Sequence, residues 1–179
     1  MQLRLNRLRS PIGEILLVTG HCGAVRALDF ADYEARMHRL LQRHYGDYQL
    51  KDGAAPQDVT AILDSYFDGD LTALKTVATA TGGTDFQRRV WAALRAIPAG
   101  STLTYGALAK ALGNPAASRA VGLANGANPI GIIVPCHRVI GANGKLTGYG
   151  GGLDRKRWLL DHEQKLSVDS TSKQARLHL

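Results

Sequence analysis

Residues Thr76 to Thr84 (TVATATGGT) contain no side chain larger than valine and end in Gly82-Gly83, about midway along the 179-residue chain. Such a stretch supplies neither an apolar helix stripe nor a strand face, so it reads as a linker between two units. Charge divides at the same place. Residues 1–80 hold nine Lys/Arg against ten Asp/Glu, and residues 81–179 hold thirteen against five. A basic unit joined to a neutral one fits a polyanion partner such as nucleic acid, or simply a basic solvated surface.

Several classes are excluded. No run of about 18 apolar residues is present to span a membrane, and no basic, then apolar, leader opens the chain. Two cysteines do not make a disulfide framework, so both are expected to be reduced thiols in the cytoplasm.

The first unit reads as a small α/β domain. Ser10-Pro11-Ile12-Gly13 is a turn. The apolar runs Ile15–Val18 and Val25–Phe30 flank His21-Cys22-Gly23 and predict a hairpin of a short antiparallel sheet. Apolar residues at helical spacing predict helices over 32–45 and 58–67. His21, Cys22 and His38 have no metal-ligand spacing, and no metal is expected.

The second unit reads as mainly helical. Phe86, Val90, Trp91 and Leu94 form one stripe of a helix over 85–97, with Trp91 in the core. Thr104 is positioned to cap a helix through Leu112 that Gly113 stops. A second helix over 116–125 follows the Asn114-Pro115 turn, giving the outline of a helix-turn-helix or of a plain αα-hairpin. That second helix is built from small residues with one long cation, Arg119. With only Arg119 and Asn125 able to address base edges, it is poorly equipped for sequence-specific reading.

Ile130–Val134 is an apolar run read as a buried strand, ending at Pro135 and followed by Cys136-His137-Arg138-Val139. A free thiol has a pKa of about 8.5 and becomes a nucleophile as thiolate. An imidazole and a guanidinium beside it would raise the thiolate fraction, and the base needs an orienting group, for which Glu163 is a candidate. Gly141–Gly152 carries six glycines in twelve residues, either a flexible surface loop or a wall that approaches a flat ligand closely, with Tyr149 on it. Arg155-Lys156-Arg157 is a solvated face or a phosphate contact.

Pro135-Cys136-His137-Arg138-Val139 resembles the active-site signature of the O6-alkylguanine-DNA alkyltransferases, also called methylated-DNA–protein-cysteine methyltransferases. Tyr105, Asn114-Pro115, Ser118-Arg119-Ala120-Val121-Gly122, Asn128-Pro129, Tyr149 with Gly151-Gly152, and Trp158 to Glu163 follow in that family's order and spacing. The resemblance is strong over 84–164 and looser over the first 80 residues.

The resemblance implies an α+β protein: an N-terminal α/β domain over 1–78 and a helical, DNA-binding, alkyl-accepting domain over 79–166 with a helix-turn-helix. It also implies stoichiometric transfer of an alkyl group from O6-alkylguanine, flipped out of duplex DNA, to Cys136, with O4-alkylthymine an open second substrate. Cys136 is then the nucleophile, His137 its base through a water, Glu163 the orienter of His137, and Asn128 the holder of the turn behind them. Tyr105, Val139, Tyr149 and Gly150 contact the base. Arg119 fills the gap it leaves, and Tyr105, Gly106, Asn114 and Ala142 join Arg119 on DNA. No cofactor, metal, membrane or obligate protein partner is implied, and a monomer is expected. Some members carry serine at the place of Gly150, where only a backbone amide is required to act. Residues 167–179 extend past the family core and read as a disordered polar tail. A DNA-binding regulator that retains the thiol, and a turnover hydrolase using Cys136, His137 and Glu163, are the competing readings.

Overall fold

The computed structural model describes residues 1–176, with side chains through residue 168. The N-terminal half forms a four-stranded sheet of β1 (Gln2–Leu8), β2 (Ile15–Thr19), β3 (Val25–Phe30) and β4 (Gln49–Asp52), in the order β3-β2-β1-β4. The predicted hairpin is β2–β3. Pairing is antiparallel across β3, β2 and β1, and β4 adds a parallel edge to β1.

Every residue of β2 is buried because both sheet faces are covered. Leu16 and Val18 point into a small cluster with Met37 and Leu41 of α1 (Glu34–Tyr45). Ile15 and Leu17 point the other way, into a larger cluster with Val59, Leu63 and Tyr66 of α2 (Gln57–Phe67). That cluster also contains Val90, Trp91 and Leu94 of α3 (Asp85–Ala96), so the two halves share one core. Trp91 is 3% exposed, as its place in the stripe predicts, and its indole N–H donates to the Ala124 carbonyl. The segment between the halves lies along the free edge of β3, where Val25 donates to the Ala78 carbonyl and Ala80 donates to that of Val25.

Thr84 and Gln87 close a capping box on α3. Thr104 accepts from the Ala107 amide and starts α4 (Tyr105–Ala111). A 3-10 turn over Pro115–Ala117 leads into α5 (Ser118–Gly126). The two-residue strands β5 (Leu103–Thr104) and β6 (Val139–Ile140) pair in parallel, and α6 (Leu153–Arg176) closes the fold.

Two expectations change. The run Ile130–Val134 is buried, but it is not a strand. It is fastened to β3 at one point, with Leu28 donating to the Pro129 carbonyl and Gly131 donating to that of Leu28. It then turns on itself, with Val134 donating to Ile130 and Ile132 held at a φ of 66°. A β-branched residue in that region is strained, and the Asn128 side chain holds the turn. Its Nδ2 donates to the Val134 carbonyl (2.8 Å) and its Oδ1 accepts from the Ile130 amide (3.0 Å). An apolar run reports burial, and a buried turn satisfies it as well as a strand does. The tail predicted as disordered from Ser167 instead continues α6 to Arg176. Extending an existing helix is far cheaper than starting one, and Leu166 is anchored beside Gly69. Residues 177–179 lie outside the described residues.

Candidate active site

Cys136, His137 and Arg138 form a single 3-10 turn, and all three are buried. A turn brings consecutive side chains into one neighbourhood, which the strand expected here would not do.

Glu163, reaching in from α6, is fully buried and accepts five hydrogen bonds. Its Oε1 accepts from His137 Nε2 (2.8 Å), Arg138 Nη2 (2.8 Å) and the Tyr66 hydroxyl (2.8 Å). Its Oε2 accepts from Arg138 Nε (2.9 Å) and the Gly100 amide (3.3 Å). Burial alone would raise its pKa, but the hydrogen bonds from His137 and Arg138, together with the Arg138 charge, win and hold the carboxyl well below the usual range. An ionised carboxylate only accepts, so His137 carries its proton on Nε2. Its Nδ1 is then an acceptor, buried and with no hydrogen-bond partner in the protein. Burial lowers the His137 pKa, outweighing the opposing pull of Glu163, so the resting imidazole is neutral and able to take a proton.

The Cys136 thiol is 5% exposed, and burial pushes its pKa up. A hydrogen bond from Asn128 and the positive charges of Arg36 and Lys156 oppose that shift without reversing it. The expectation that Arg138 assists the thiol is therefore corrected. Its guanidinium is committed to Glu163 and to the Ile97 carbonyl (2.6 Å), and the guanidinium acting on Cys136 is Arg36, from α1.

Arg36 joins the halves. It donates to Asp29 (2.6 Å) and to the carbonyls of Gly126 (2.9 Å) and Asn128 (3.0 Å). It also lies against Gly150, where a Cβ would collide with its guanidinium. The absence of a side chain at Gly150 thus makes room for Arg36. Tyr149 stands edge-on to His137, with ring centroids 6.5 Å apart, and its hydroxyl is buried without a partner. Burial, followed by the nearby Cys136 charge, pushes its pKa well above the usual phenol value.

The basic run on α6 divides three ways. Arg155 stacks 4.1 Å over the Phe30 ring and bonds Ile12, Asp32 and Gly151. Lys156 is fully buried, donating to the carbonyls of Val139 (2.6 Å), Thr147 (2.9 Å) and Gly148 (3.5 Å). Arg157 alone of the three keeps an exposed head, so Arg155 and Lys156 are neither a solvated face nor a phosphate contact. Val139 is buried, and its carbonyl is thereby tied to the glycine-rich loop.

Tyr105 heads α4 at the surface, with its hydroxyl donating to the Thr147 carbonyl (3.2 Å). Gly106, Asn114, Arg119 and Ala142 are exposed, Ala142 on the loop after β6. Asn125, read as able to address a base, is buried and donates to the Cys136 carbonyl (3.4 Å). Among the described residues, no three His, Cys, Asp or Glu side chains converge as a metal site. Sequence reasoning missed the part played by Tyr66, Arg36 and Asp29, and it read Lys156 only as part of a surface basic run. Only the placement of Tyr66 and Arg36 on amphipathic helices marked them, and that pattern reports packing rather than chemistry.

Two family models match the chain. Residues 4–80 match the ribonuclease-like domain, and residues 85–165 the DNA-binding domain, of 6-O-methylguanine DNA methyltransferase. A methylated-DNA–protein-cysteine methyltransferase of Salmonella typhimurium is 50% identical over 165 residues, covering 91% of this chain and 96% of the relative. One from Methanosarcina acetivorans is 48% identical, covering 86% and 94%. The crystal structure of Mycobacterium tuberculosis OGT in complex with DNA superposes with a TM-score of 0.77 at 46% identity, covering 93% and 94%. That of the O6-methylguanine-DNA methyltransferase of Pyrococcus kodakaraensis has a TM-score of 0.66 at 27% identity, covering 90% and 98%.

Proposed function

The chain belongs to the 6-O-methylguanine DNA methyltransferase family, and on that footing we propose how its residues divide the work of the reaction. The activity is repair of alkylated DNA, by moving the alkyl group from O6-alkylguanine to a cysteine of the protein itself. Cys136 is the acceptor. His137 Nδ1 takes the thiol proton through a water, and the imidazolium that forms faces a carboxylate already ionised at 2.8 Å. The sulfur then attacks the alkyl carbon, the carbon–O6 bond breaks, and its electron pair stays on guanine. The Tyr105 phenol gives a proton to the ring as the base leaves neutral, and the proton taken up by His137 returns through solvent to the phenolate, so both side chains regain their resting states. The resulting thioether has no base-labile bond, so each chain reacts once.

The observation that carries this reading is the saturated Glu163. Its five donors lock His137 into the tautomer that leaves Nδ1 free for the thiol proton. A resting thiol that is protonated and buried fits a reaction in which deprotonation waits for the substrate. Asn128 holds the turn that presents Cys136. Tyr149, Gly150 and the Val139 carbonyl flank the base, Arg119 takes the place of the extruded nucleotide in the stack, and Gly106, Asn114 and Ala142 contact DNA. Extrusion costs about a few kcal/mol, part of which an inserted guanidinium offsets. Residues 1–78 support the site, residues 79–166 hold it, and the protein acts as a monomer without metal or cofactor. We place it in the cytoplasm, where thiols stay reduced. No described helix is long and apolar enough to cross a membrane.

The test is the intact mass after incubation with duplex DNA containing O6-methylguanine. A gain of about 14 Da, one methylene equivalent, is expected on the Cys136 peptide. No adduct, or one on the exposed Cys22, refutes the assignment.

A further inference from the structure

The outward stripe of α5, with Ala116 of the 3-10 turn before it, comprises Arg119, Ala120, Leu123 and Gly126, while Val121, Ala124 and Asn125 face the core. Two side chains on that stripe extend beyond a methyl group, and one of them is Leu123. It is 73% exposed, the highest value among the large hydrophobic side chains described as exposed. It follows Arg119 by four residues, about 6 Å along the helix axis. Helical side chains lean toward the N-terminus, so Leu123 leans toward Arg119. Between Lys110 and His137 the chain carries no other charge than Arg119. This face is therefore not built to track phosphates; it presents one cation and one aliphatic prong among small residues.

Resting on the function proposed above, we infer that Leu123 is an apolar wedge that enters the minor groove beside Arg119 and loosens the base step next to the extruded guanine. Minor-groove proteins commonly unstack a step by inserting an aliphatic side chain. Such a wedge shares the work of extrusion: Leu123 weakens the stack and Arg119 fills it. The small residues Ala116, Ala120 and Gly126 let the helix approach closely enough for a leucine to reach. Pyrimidine–purine steps unstack most readily, so a lesion flanked by such a step is the preferred context.

The test compares the parent with Leu123→Ala and Leu123→Met. Alkyl transfer to Cys136 is followed by mass from duplex DNA and from the free O6-methylguanine base. The ratio of the two rates is expected to fall about tenfold in Leu123→Ala, equivalent to 1.4 kcal/mol, and to recover largely in Leu123→Met. A 2-aminopurine placed beside the lesion is expected to brighten on binding the parent and much less on binding Leu123→Ala. An unchanged ratio, or equal brightening, overturns the wedge while leaving the repair reading intact. Absence of transfer by the parent overturns the repair reading itself.

Discussion

The two sides of Cys136 are built on opposite principles. Behind it, Glu163, Arg138, His137 and Tyr66 form a buried network in which one carboxylate accepts five bonds and holds a fixed charge pattern. In front of it, the segment from Gly141 to Gly152 is rich in glycine, and the Tyr149 hydroxyl has no partner. A proton path needs a fixed tautomer, and Glu163 fixes that of His137 while leaving its Nδ1 without a partner in the protein. The substrate entrance proposed on this side needs a wall whose backbone approaches a flat ring, and glycine allows that. Rigidity and permissiveness are thus separated by the thickness of one 3-10 turn.

The sharpest way to break this contrast is Glu163→Gln. It removes the charge while keeping the shape, leaving Arg138 buried without its counterion. A lost partner in a buried pair costs about 3–5 kcal/mol, so the urea midpoint is expected to fall markedly. Transfer from the free base should slow by about 100-fold or more as His137 loses its orienter. A variant with parental stability and rate would show that the network behind the thiol does not hold the base.

Acid should expose the same network in two stages. Burial depresses the His137 pKa, so the unfolded chain binds a proton near the ordinary value of about 6.5 while the folded chain does not. Stability from this group is full above that pH and declines as pH drops below it. Burial also lowers His44, which adds to the same limb. Glu163, depressed by His137 and Arg138, gives stability present above the ordinary carboxylate value of about 4.3 and lost on further acidification. Urea midpoints measured against pH are expected to show both limbs, with Glu163→Gln deleting the lower one.

On the permissive side, effects should be smaller. Gly150→Ser forces the Arg36 head away from its place against the loop. Loss of a bond to Asp29, Gly126 or Asn128 is expected to cost about 1–2 kcal/mol, with a several-fold slower transfer. Melting temperature and single-turnover rate check both. If Gly150→Ser proves as damaging as Glu163→Gln, the distinction between the two sides fails.

Much of the site was legible in one dimension. Cys136, His137, Arg138 and Asn128 lie within eleven residues, and their chemistry follows from their types. Helix α3 was legible from its stripe of Phe86, Val90, Trp91 and Leu94, and α4 because Thr104 is a capping residue that acts on its nearest turn; the Thr84 capping box became visible only in the structure. Strands β1 and β4 were not among the predicted elements. β1 mixes Leu3 and Leu5 with Arg4, Asn6 and Arg7, and β4 is a four-residue polar edge whose pairing with β1 depends on the sheet already being there.

The sequence by itself determined the candidate sulfur, the imidazole beside it, the lone cation on a helix of small residues, and the alternation of apolar and polar segments. Those are properties of residue type and of spacings within a few turns. Only the tertiary structure decided that Arg138 serves Glu163 rather than the thiol, that Lys156 is buried against three carbonyls, and that Tyr66 and Arg36 reach the site from the other half. The Tyr66–Glu163 bond spans 97 positions of chain, and the Arg36 contact with Asn128 spans 92. No local pattern encodes such pairs, because they follow from how one shared hydrophobic core brings the two halves together.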